Sequence, residues 1–68
     1  MTLYDAMKAE LKNRNISQSE LARKLGQDRQ NINKHLKKWK DGNVPTISLL
    51  KKWCSAINCD YKKFLPFL

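Results

Sequence analysis

Between Arg29 and Lys40 the chain carries five cations, Arg29, Lys34, Lys37, Lys38 and Lys40, beside the carboxamides Gln30, Asn31 and Asn33, and no carboxylate. A guanidinium can bond O6 and N7 of a guanine together, and a carboxamide can pair with N6 and N7 of an adenine. Lysines neutralise phosphates and release counterions, which adds affinity without sequence information. Solvated helices ordinarily interleave both signs to gain pairs one turn apart, so the missing acids point to an external anion. Ile32, Leu36 and Trp39 form one apolar stripe in this segment, which on a helix turns the donors outward. The chemistry implied is recognition of double-stranded DNA. Arg29, Gln30, Asn33 and Lys34 are expected to read bases, and Asn31, Lys37, Lys38 and Lys40 to contact phosphates.

Other chemistries find little support. His35 is the only histidine, and its sequence neighbours offer neither a nucleophile nor a carboxylate, so no catalytic constellation emerges and no enzyme is expected. Ser17, Ser19 and Thr46 read as caps or first-turn residues. Cys54 and Cys59 could close only a very short loop, and no second pair or histidine completes a zinc site; reduced core or boundary thiols are expected, with no metal and no cofactor. No small-molecule substrate is implied. The basic helix lacks the broad apolar face of a membrane-surface helix, and no apolar run is long enough to span a bilayer. The expected setting is the cytoplasm of a bacterial or phage-infected cell, in association with the nucleoid. A net charge of +8 and a pI near 9.8 fit a nucleic-acid partner. The 68 residues, 41% of them hydrophobic, suffice for a single domain, residues 1–68, whose one core leaves little stability to spare.

Periodicity supplies the elements that must hold the basic segment. Leu3, Met7 and Leu11 predict a first helix over Leu3 to Lys12, capped by Thr2. Ser17 is a strong cap for a second helix starting at Gln18, with Glu20 as its capping-box partner, Leu21, Ala22 and Leu25 inward, and Gly26 as the left-handed stop. That places helix two at about 18–25. Asp28 caps the third helix, about 29–39. After the turn residues Asp41, Gly42 and Asn43, Pro45 blocks continuation, and Thr46 opens a run with Ile47, Leu49, Leu50, Trp53, Cys54 and Ile57. A last turn or two, Tyr61 to Leu65, precedes Pro66. The fold class expected is all-α, a compact bundle of about five short helices.

The segment Ile16-Ser17-Gln18-Ser19-Glu20-Leu21-Ala22, then Leu25-Gly26, then Ile32, then Pro45-Thr46, resembles the helix-turn-helix family of phage Cro and repressor proteins, the xenobiotic-response-element type. The resemblance spans roughly Ile16 to Leu65 and implies a repressor-like DNA-binding domain with the third helix as recognition helix. It implies that Gln18, beside Ser17, touches a phosphate and braces that helix, and that Arg29 and Gln30 hold base-reading positions. Family members typically regulate transcription by binding operators as dimers, so a homodimer on an inverted-repeat operator is expected, repressing by exclusion of polymerase. Asn31 departs from the family's usual small residue, and the acidic residue common near Leu36 or Lys37 is missing. Trp53, Phe64, Phe67 and Leu68 together suggest an apolar patch too large for a small monomer to cover, and hence the dimer interface. The competing reading is a protein-binding regulator, an antirepressor or antitoxin, that uses the same fold to mask a partner.

Overall fold

The structure, a computed structural model, describes residues 2–68. Four α-helices, α1 (Leu3–Asn13), α2 (Gln18–Leu25), α3 (Arg29–Lys40) and α4 (Ile47–Ala56), are followed by a 3₁₀ helix, Tyr61–Phe67. No strand occurs among the described residues.

Side-chain oxygens start every element. Thr2, Ser17, Asp28 and Thr46 accept from the N–H groups of Asp5, Glu20, Asn31 and Leu49, and Asp60 from that of Lys62. Each bond satisfies a donor that a helix leaves orphaned in its first turn. The reciprocal capping box expected at Ser17 and Glu20 forms instead at Thr2 and Asp5, where the Asp5 carboxylate also accepts from the Thr2 N–H at 3.2 Å.

All four α-helices stop in the same way. Asn15, Gly26, Gly42 and Asn58 adopt φ values of 56°, 69°, 102° and 58°. At each stop the next residue's N–H reaches back to the carbonyl five positions earlier: Ile16 to Leu11, Gln27 to Ala22, Asn43 to Lys38 and Cys59 to Cys54. These are Schellman terminations, which reverse the chain within two residues and let short helices pack at steep angles.

The core gathers Leu3, Met7 and Leu11 from α1, Leu21 and Ala22 from α2, Ile32, Leu36 and Trp39 from α3, and Leu50, Trp53, Cys54 and Ile57 around α4. α3 packs between α2 and α1, α4 lies on α2, and the 3₁₀ helix closes the remaining side against α1 and α4. Phe64 enters from that last element with 2% of its surface exposed. Pro66 fits there because its fixed φ matches the 3₁₀ range.

Two expected interface residues therefore change place. Trp53 is fully buried, its ring 4.5 Å from that of Trp39 and edge-on to His35 at 5.9 Å, and Phe64 is buried beneath the C-terminal turn. Trp53 is one turn on from Leu50 and lies with it on the inward face of α4, and the 3₁₀ helix carries Phe64 into the core. Of the expected patch, Phe67 is half-buried and only Leu68 stays exposed.

Glu10 ties the ends together. Its carboxylate accepts from Arg14 Nε at 2.8 Å and Lys63 Nζ at 2.7 Å, while Arg14 Nη1 donates to the Ile57 carbonyl at 3.0 Å. The hydrogen bond from Lys63, then that from Arg14, holds the Glu10 carboxyl below its ordinary value.

Candidate nucleic-acid interface

α3 presents its donors because its apolar positions recur at the helical period. With Ile32, Leu36 and Trp39 buried and His35 half-buried, Arg29, Gln30, Asn31, Asn33, Lys34, Lys37, Lys38 and Lys40 are all exposed. At about 100° per residue the exposed side chains form two ridges. Arg29, Asn33, Lys37 and Lys40 run along the flank facing α1 and α2; Asn31, Lys34 and Lys38 run along the other, and Gln30 stands between them near the start of the helix.

The helix is aimed by α2. Gly26 ends α2 in the left-handed region, and Asp28 Oδ1 accepts from the Asn31 N–H at 2.9 Å to begin α3 two residues later. Such a turn leaves the outward face of α3 projecting clear of the helix that supports it, the arrangement that lets a helix enter a groove about 12 Å wide.

Gln18 is half-buried and lines one groove together with Tyr4, Asn33, Leu36, Lys37 and Lys40. Arg29, Gln30 and Asn33 line the adjoining concavity with Asp28. Gln18 is thus beside the donor-bearing face of α3, in one groove with Asn33 and Lys37. Ser17, exposed, uses its hydroxyl oxygen as the α2 cap, and its O–H remains able to donate outward.

Three residues that the sequence reading did not single out join this face. Tyr4 stands between two ammonium groups, Lys8 Nζ at 5.9 Å and Lys40 Nζ at 5.8 Å from its ring centre. A second groove, lined by Lys8, Leu11, Lys12, Ile16, Ser17 and Gln18, continues the cationic surface around the start of α2. The signal was present in the spacing Tyr4, Lys8, Lys12, one α1 stripe one turn apart; that it meets Lys40 depends on how α1 crosses α3.

Four of the six carboxylates are engaged in bonds of their own. Asp5, Asp28 and Asp60 cap helices, and Glu10 holds both ion pairs found among the described residues. Arg29 and the lysines of α3 have no acidic partner within ion-pair distance. Among the described residues no cluster of three or more metal-ligating side chains occurs, and no helix is long and apolar enough to cross a membrane.

No curated protein and no solved structure matches the chain. A family model does, over residues 6–65, that is, from within α1 to within the C-terminal 3₁₀ helix, and it includes the caps at Ser17, Asp28, Thr46 and Asp60 and both helices of the turn. With its bundle of helices and an outward donor row on the second helix of the turn, the chain belongs to the Cro/C1-type helix-turn-helix DNA-binding family.

Proposed function

We propose that this single domain is a sequence-specific regulator of transcription, a Cro-like repressor that lays α3 in the major groove and excludes polymerase from an overlapping operator. The observation that carries the reading is the exposed face of α3, which offers amide and cationic donors with no carboxylate among them. Arg29, Gln30, Asn33 and Lys34 read base edges from the leading part of the helix. Gln18, Ser17, Asn31, Lys37, Lys38 and Lys40 hold the flanking phosphates, and Lys8 and Lys12 extend that track onto α1. Division of labour follows from chemistry: bidentate donors discriminate, whereas an ammonium group meets every phosphate alike.

Two copies bind one operator. A single α3 supplies two or three bidentate contacts, each worth about 1–3 kcal/mol of discrimination, and a two-fold pair doubles them. The target is then an inverted repeat with half-sites about 34 Å apart, one helical turn. With Trp53 and Phe64 inside the core, only Phe67 and Leu68 remain of the expected interface, too small an area by themselves to hold free chains together. Pairing is accordingly completed on DNA.

Fluorescence anisotropy with a random duplex at several salt concentrations, followed by selection from a random duplex library, tests the reading. Steep salt dependence and enrichment of an inverted repeat are expected. No complex with any duplex at low ionic strength defeats it and leaves the masking of a protein partner, for which exposed Val44, Ile47, Leu65 and Leu68 offer contacts, as the surviving account. Light scattering with and without the selected operator separates pairing on DNA from a dimer formed beforehand.

A further inference from the structure

The Schellman stop at the end of α4 brings the chain's two cysteines together. The Cys59 N–H donates to the Cys54 carbonyl at 2.8 Å, and Asn58 between them sits at φ 58°. Backbone bond lengths then confine the two Cα atoms to within about 6.7 Å of each other, inside the range that a disulfide spans. The same motif sets the side chains of these two positions against one another. The two thiols differ sharply in access: Cys54 is 1% exposed and Cys59 half-buried. Burial, with the neighbouring Cys59 thiol adding to it, pushes the Cys54 thiol up to about 12, so Cys54 stays protonated and inert on its own.

Cys59 has different neighbours. Its S–H donates to the Asp60 carbonyl at 3.8 Å, and it lies near Arg14 and Lys63, both of which are bound to Glu10. A partly exposed thiol with a second, buried thiol packed against it is one that a peroxide can reach and that its neighbour can then resolve.

We propose that Cys54 and Cys59 form a peroxide-responsive site, in which hydrogen peroxide or an alkyl hydroperoxide oxidises Cys59 and Cys54 converts the product to a disulfide within one chain. The Cys59 sulfur, having lost its proton, attacks the O–O bond; that bond breaks, the sulfur gains a hydroxyl, and the departing hydroxide or alkoxide takes up the proton. The Cys54 sulfur then attacks Cys59, the S–O bond breaks, and the leaving hydroxide takes the Cys54 proton as water. Two electrons pass from the sulfur pair to the peroxide. Because the partner thiol is already in place, the reaction ends inside the monomer before Cys59 can cross-link two copies on one operator.

The full chain is treated with hydrogen peroxide, denatured, alkylated and weighed intact. The expected product has the monomer mass less two hydrogens and accepts no alkyl group. Wild-type protein that still takes two alkyl groups, at peroxide levels where Cys54→Ser yields a dimedone adduct at Cys59, overturns the proposal, as does an interchain disulfide as the main product. Should Cys54→Ser fail to fold, the wild-type masses decide alone.

Discussion

Arg29 and Lys38 lie on one helix yet are expected to fail differently. Arg29, at the start of α3 beside Gln30 and Asn33, carries a planar guanidinium able to donate twice to one base; Lys38 is on the far ridge, a point charge on a long stem. Arg29→Ala should cost about 1–3 kcal/mol on the best operator and relax the preference at one base pair. Lys38→Ala should weaken all duplexes alike and reduce the salt slope by about 1. Competition binding against single-base operator variants measures both, and uniform losses in the two mutants would show that α3 reads no sequence. Buried residues act through stability instead. Trp53→Ala removes the ring that fills the space between Trp39 and His35 and should cost about 3–5 kcal/mol, a large share of what a domain this small can hold. A urea titration that moved its midpoint only slightly would mean that Trp53 is not the central packing residue. Glu10 is the titrating counterpart. Its folded value is depressed by Lys63 and Arg14, so its contribution is present above its ordinary value of 4.5 and disappears as pH falls through the lower folded one. Glu10→Gln should lower the melting temperature at neutral pH, and the gap should close in acid well below pH 4.5.

At the scale of elements, the caps and stops set the geometry of the site. Gly26 has φ 69° and nothing within 4 Å of where a Cβ would stand, so Gly26→Ala is penalised by backbone conformation alone, about 1 kcal/mol. Gly26→Asn should cost less, because asparagine visits the left-handed region more readily. Asn58 is in the reverse situation at φ 58°, and Asn58→Gly should raise the melting temperature slightly by removing the same penalty. Circular-dichroism melts of the three variants should rank Asn58→Gly above wild type and Gly26→Ala lowest; the opposite order would show that contacts, not torsions, govern these turns. Much of this layer was legible in sequence because it is local. Ser17, Asp28 and Thr46 each cap through a bond to an N–H three residues away, and Gly26 is the residue type that its torsion demands. Asn15 and Asn58 were less legible as stops, since asparagine is equally at home in turns, caps and exposed helix. What required the fold was any contact across elements: the burial of Phe64 depends on where the 3₁₀ helix returns, that of Trp53 on its meeting with Trp39 and His35 of α3, and the meeting of Tyr4 with Lys40 on the crossing of α1 over α3.

Across the whole molecule, charge is sorted by use. The chain has 14 Lys and Arg against 6 Asp and Glu, and four of the acids are held at helix starts or in the Glu10 pairs, while the exposed cations of α3 and Lys8 and Lys12 of α1 have no acidic partner within ion-pair distance. Such a field both steers the chain to DNA and makes binding a matter of counterion release. Five ammonium groups on that surface, Lys8, Lys12, Lys37, Lys38 and Lys40, correspond to a slope of log K against log salt of roughly −4 to −5 for each subunit. If the phosphate track were limited to α3, replacing Lys8 and Lys12 by Gln would leave the slope unchanged. If it wraps around the start of α2 onto α1, as the grooves at Tyr4 and Gln18 suggest, the double variant should lose roughly 2 units of slope while keeping the same operator preference. Both replacements are on exposed positions of α1, away from Leu3, Met7 and Leu11, so the fold should survive them and the comparison should report the footprint alone.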